Sequence, residues 1–197
     1  MVKIEVLSHY LFDKDMIEMG LNDTNVENSN MSFISIIGTQ ECLKYYLDES
    51  DTKHYFNDGH KNVLNLDFDD VGNDILYNNH LFRAMTMEQA ESTVDFIEES
   101  FNNEVEGIKI HCRAGFSRSR AIGEFIYRYC QEHNINVVYE DRNDYTTMLN
   151  QDVLRKLNNA YWKKHKINGY ENGESYNDEL KNPKVEIINT EDIYEQI

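Results

Sequence analysis

The sequence predicts an α/β fold, a mostly parallel central sheet of four to five strands flanked by helices on both faces. Short apolar runs of strand length alternate along the chain with segments whose apolar residues recur at helical spacing. One of these runs passes through a glycine-containing loop directly into a helix, the connection from which parallel sheets are built.

Val2–Leu7 reads as the first strand, and Tyr10–Met19 as a helix with Leu11, Met16 and Met19 at helical spacing. Met31–Ile37 is the second strand, ending at Gly38, and Gln40–Leu47 a short helix. Asn62–Phe68 is the third strand and runs into an acidic corner, Asp67-Phe68-Asp69-Asp70. Residues 71–85, with Gly72, Asn73, Asn78 and Asn79, read as irregular. Thr86 with Gln89 is a capping box. The helix it opens sets Met87, Ala90, Val94, Ile97 and Phe101 on one face at spacings of 3, 4, 3 and 4. Strand 107–111 follows, then a loop at 112–118, then a helix from Arg120 to Gln131 with Ile122, Phe125, Ile126 and Tyr129 inward. A last helix, Met148–Lys164, offers Leu149, Val153, Leu157 and Tyr161. Residues 1–166 are expected to form one domain and the acidic, polar stretch 167–197 a loosely held tail.

Apolar residues make up 40% of the chain and aromatics 12%, the balance of a packed core. No apolar run approaches the ~18–20 residues that span a bilayer, and Met1–Val6 lacks the basic start and long apolar stretch of a secretion signal. Net charge is −17, from 36 acidic against 19 basic residues, which opposes nucleic acid and acidic membrane surfaces as partners. One basic cluster, Lys163, Lys164 and Lys166, closes a helix C-terminus and opposes its dipole. The other, Arg113, Arg118 and Arg120, belongs to the loop. Three widely spaced cysteines, Cys42, Cys112 and Cys130, argue against a disulfide framework and for a reducing cytoplasm. Cys42 and Cys130 read as core residues of their helices. No Cys/His pair has zinc-ligand spacing, so neither a metal nor another cofactor is expected. Tyr145, Tyr161 and Trp162 read as core and surface aromatics, and His54, His60 and His80 form no constellation.

Chemistry concentrates in residues 111–119, His-Cys-Arg-Ala-Gly-Phe-Ser-Arg-Ser. A strand that turns through such a loop into a helix aims backbone N–H groups and the positive helix end at one spot, suited to a phosphate dianion. The same dipoles and a guanidinium favour the thiolate, the form in which cysteine attacks. The loop residues Arg113, Ala114, Gly115, Phe116 and Ser117 would wrap the phosphate, with Gly115 permitting torsions other residues resist. Arg118 supplies a planar fork for two phosphoryl oxygens, and Ser119 a hydrogen bond to the thiolate as it leaves. His111 is expected to organise the loop from beneath. In parallel sheets ligands bind at the carboxyl ends of the strands, where both the loop and the acidic corner lie.

Cys112 through Arg118, with His111 before and Ser119 after, resembles the signature of the cysteine-dependent protein tyrosine phosphatase superfamily. The pattern Cys-Arg-x-Gly-x-Ser-Arg-Ser is most similar to the dual-specificity branch, and the likeness in organisation runs from about residue 60 to 165. The resemblance implies a protein tyrosine phosphatase-like fold and a phosphocysteine intermediate on Cys112. It also implies an aspartic acid that protonates the leaving oxygen from a loop after an upstream strand. That place falls best to Asp70, with Asp69 the close alternative, Asp67 within the strand and Asp74 remote. The segment between Asp70 and Thr86 is longer than in compact members and is expected to form a lid or recognition surface. The implied substrate is a phosphorylated protein, carrying phosphotyrosine and also phosphoserine or phosphothreonine if the pocket is shallow. The alternatives are a non-protein substrate, an RNA 5′-phosphate or inositol phosphate, and a phosphate-binding scaffold without activity. Ser119 after the arginine, Arg113 as the only extra loop cation and the acidic surface weigh against polyanions.

Overall fold

The computed structural model describes residues 1–39, 53–142 and 149–166, together with the backbone of 186–188. The expected helix at 40–47 with Cys42, and Tyr145, lie outside the described residues. Five parallel strands form the central sheet: β1 (Val2–Ser8), β2 (Met31–Ile37), β3 (Val63–Asp67), β6 (Gly107–Cys112) and β7 (Val137–Asp141). Their spatial order is β3-β2-β6-β1-β7. Among the described residues the α-helices are α1 (His9–Glu18), α2 (Met87–Asn102), α3 (Arg118–Glu132) and α4 (Gln151–His165). No helix among the described residues is long and apolar enough to cross a membrane.

Strand pleating divides the core between the two faces of the sheet. Ile4, Ile34, Ile36, Ile108 and Ile110 join Val94 and Ile97 of α2, Ile122 and Phe125 of α3 and Val153 and Leu157 of α4 in one cluster. On the opposite face Leu7 and Phe33 meet Phe12 and Met16 of α1, with Val26 and Phe56. Burial of each such side chain contributes roughly 1.5–3 kcal/mol. The helices therefore cover both faces, three on one and α1 on the other. Cys130, fully buried, is part of the larger cluster, and burial raises its thiol to about 11.

Several boundaries differ from the sequence reading. Residues 71–85 are not irregular: β4 (Ile75–Tyr77) and β5 (His80–Phe82) form an antiparallel hairpin. Its turn residues, Asn78 and Asn79, both have positive φ, 47° and 61°. A further strand, β8 (Glu186–Ile188), pairs in parallel with β4, so part of 167–197 has regular backbone. Strand β7 is a fifth strand at the sheet edge. Helix α3 begins at Arg118 rather than Arg120, and α4 at Gln151, behind Asn150 as N-cap. The capping box on α2 is present: Thr86 Oγ1 accepts from the Gln89 N–H at 3.1 Å, and the Thr86 N–H donates to Gln89 Oε1 at 2.9 Å. The basic end of α4 faces acidic residues of α2, Lys163 against Glu91 and Lys164 against Asp95 and Glu98.

Candidate active site

The carboxyl end of β6 delivers Cys112 to the floor of a cavity of about 320 Å³. Its lining also includes Ile36 and Ile37 at the end of β2 with Gly38 just beyond it, Asp69 and Asp70 after β3, and His9 at the start of α1. Arg113, Ala114, Phe116, Ser117 and Arg118 supply the rest of the loop wall. Gly115 has φ +82°, a left-handed torsion that closes the loop back toward the helix and that an L side chain resists.

Cys112 is 2% exposed, and its Sγ lies 3.2 Å from Ser119 Oγ. Arg118, the first residue of α3, is buried as well. Its guanidinium donates to the Phe68 carbonyl at 2.6 Å, while the buried Nε has no hydrogen-bond partner among the described residues. An arginine nitrogen hidden without an acceptor costs free energy unless an anion fills the place. Ser117 is the N-cap of α3, yet its hydroxyl makes no cap bond and donates to Asp70 Oδ1 at 2.8 Å. The Ser117 side chain thus caps none of the N–H groups in the first turn of α3.

The four nearby aspartates have distinct environments. Asp70 is exposed; its Oδ1 accepts from Ser117 Oγ and from Asn150 Nδ2, each at 2.8 Å. Oδ2 has no donor among the described residues. Asp69 is 1% exposed, and both of its oxygens are occupied: Thr39 N–H and Oγ1 donate at 2.8 and 2.7 Å, and the Arg83 N–H at 2.7 Å. It is a pin for the loop. Asp74 accepts from Arg83 and the Ala84 N–H, both at 2.9 Å, and Asp67 faces His54.

Asn150 escaped the sequence reading. Its Oδ1 caps α4 by accepting from the Asp152 and Val153 N–H groups at 3.1 Å, while Nδ2 holds Asp70. An asparagine just ahead of a helix is an N-cap signal, and the expected start at Met148 hid it. His9 was also missed. It is buried at the cavity wall, with Nε2 3.4 Å from Asp13 Oδ2, and its backbone N–H donates to the Arg113 carbonyl at 3.2 Å.

His111 points to the α1 face, fully buried, its ring 4.2 Å from Phe12 and 5.0 Å from His9 between centroids. Neither ring nitrogen has a hydrogen-bond partner among the described residues, so support for the loop runs through packing on His9. Burial, with smaller contributions from His9, His54 and Arg118, holds its pKa well below 6.5. The ring is therefore neutral when folded. As pH falls through ~6.5 the unfolded chain gains a proton that the folded one refuses, and stability drops. We expect His111→Phe to remove this step: between pH 7 and 5.5 the variant should lose about 1 kcal/mol less than wild type in urea unfolding. Equal losses would show that His111 does not carry the dependence.

Of the histidines expected to form no constellation, His54 and His60 have side-chain partners. His54 Nδ1 lies 2.7 Å from Ser35 Oγ, and Nε2 2.7 Å from Asp67 Oδ1. Ser35 is 1% exposed, so this chain ties β2 to β3 rather than presenting a nucleophile. His60 meets Asp23 at 3.0 Å. Tyr161 is core and Trp162 packs against it; neither lines the cavity. Among the described residues no group of three His, Cys, Asp or Glu is placed to hold a metal ion. No family model, curated protein or solved structure matches this chain.

Proposed function

We propose that this chain is a cysteine-dependent phosphatase of phosphorylated proteins. Its substrates are phosphotyrosine and, more widely, phosphoserine and phosphothreonine. The observation that carries the reading is the meeting of Cys112, a buried and partly unpartnered Arg118 and Asp70 around one cavity, with the Ser119 hydroxyl beside the Cys112 sulfur. Ile37, Val71, Phe82 and Phe116 give that cavity apolar walls, which suit the ring of an aryl phosphate.

In the first step the Cys112 thiolate attacks phosphorus, and the P–O bond to the leaving group breaks. Protonated Asp70 gives its proton to the departing oxygen. Arg118 and the α3 N-terminus bear the equatorial oxygens. In the second step water attacks the phosphocysteine, Asp70 takes its proton, and the sulfur leaves as thiolate toward the Ser119 hydroxyl. Inorganic phosphate is released.

Asp70→Asn keeps the Oδ1 acceptor for Ser117 and Asn150 and removes the proton. Its turnover on phosphotyrosine peptides is expected to fall about 10²–10³-fold. Wild-type turnover in that variant would remove Asp70 from the mechanism. A matched peptide series with phosphotyrosine, phosphoserine and phosphothreonine then ranks the substrates.

A further inference from the structure

Lys156 is a buried titratable group that the chemistry above leaves unused. It projects from α4 at 6% exposure, and its ammonium donates to the carbonyls of Met85 at 2.8 Å and Gly72 at 3.3 Å. Among the described residues no carboxylate pairs with it. Burial lowers its pKa, as expected for a cation with only carbonyl acceptors. A methionine would fill the same space without that cost, so the retained charge calls for a reason.

The two carbonyls identify it. Gly72 lies two residues beyond Asp70, and Met85 directly precedes the N-cap of α2. They are the two ends of the insertion that carries the β4–β5 hairpin, and one ammonium bridges them. The same helix holds Asp70 itself through Asn150. At Gly72 it approaches so closely that a Cβ would run into the Asp152 carboxylate. We infer that Lys156 is a positioning residue for the general acid, clamping the neck of the insertion against α4 so that Asp70 stands ready over Cys112.

This inference rests on the reading of Asp70 as proton donor, and the test separates the two. The readout is kcat/KM, which reports the first chemical step, for phenyl phosphate and for dinitrophenyl phosphate. The phenolate of the first needs a proton as it leaves; that of the second does not. Lys156→Met is expected to lower kcat/KM for phenyl phosphate about tenfold more than for the dinitrophenyl ester. Lys156→Gln keeps two N–H donors on a shorter, uncharged stem and should shift the ratio less, in the same direction. A purely structural lysine would lower both esters by one factor. Asp70→Asn is the control: no leaving-group dependence there sinks the reading of Asp70. Dependence in Asp70→Asn, with an unchanged ratio in whichever Lys156 variants fold, overturns the clamp alone.

Discussion

Cys112→Ser is expected to abolish hydrolysis of p-nitrophenyl phosphate, by at least about 10⁴-fold, with the fold intact. The substitution exchanges one buried atom, and the neighbouring Ser119 hydroxyl at 3.2 Å can bond to an oxygen as readily as to a sulfur. What is lost is chemistry: a serine hydroxyl with no general base beside it is a poor nucleophile at neutral pH. Arg118 and the helix N-terminus are untouched, so the variant should still bind a phosphorylated peptide, and hold it unhydrolysed. The assay is run with EDTA present, wild type beside variant, with the thermal midpoint of each recorded. Equal hydrolysis by both would place the activity elsewhere and overturn the proposal. No activity in either, from mildly acidic to neutral pH, would leave the phosphate-binding scaffold as the better description.

Cys112, Arg118 and the sheet around them were legible because each is a local signal. The loop is contiguous, the strands before and after it are apolar runs, and a capping box marks α2. What escaped depends on contacts between distant residues or on weak elements. Strand β7 is an edge strand whose exposed and half-buried residues alternate, Val137 to Asp141, with two acids at its end. It lacks the apolar run that flagged the others. The β4–β5 hairpin did carry a signal, two asparagines in left-handed torsions between its strands, as two-residue hairpin turns require. Strands of three residues each were too short to stand out beside it. The sequence favours Asp70 over Asp69 by position alone, since what distinguishes adjacent aspartates is what surrounds them. Thr39 and Arg83 occupy Asp69, while Ser117 and Asn150 hold Asp70 by one oxygen.

Lys109 is the clearest case of a residue whose meaning lies in distant partners, and its replacement carries the largest expected effect on stability. In the sequence it is one cation within an apolar strand. In the fold it lies under α1, its ammonium 2.7 Å from both Glu5 of β1 and Asp15 of α1. The three side chains are all at least nine-tenths buried. Lys3 also bonds Glu5, at 2.9 Å, and Arg142 bonds Asp15, at 2.6 Å, so the network extends to the surface on both sides. Burial pushes the Glu5 and Asp15 carboxyls up, yet the hydrogen bonds from Lys109, with Lys3 and Arg142, outweigh it and hold both below their ordinary values. Lys109→Met preserves volume and strips the shared cation from two buried carboxylates, which is expected to cost ~3–5 kcal/mol at pH 7. For a domain of this size that lowers the thermal midpoint by roughly 10 °C. The pH dependence has a definite sign. In wild type these carboxylates contribute stability above their unfolded values near ~4, lost as pH falls through the lower folded ones. In the variant burial acts with less opposition and the folded values rise, so acidification relieves the excess negative charge and the deficit narrows toward pH 4.5. Adding Glu5→Gln to the variant should recover part of the loss for the same reason. Urea unfolding of all three proteins at both pH values decides it: a Lys109→Met deficit below ~0.5 kcal/mol at pH 7 would mean that the network holds the α1 face without its central cation.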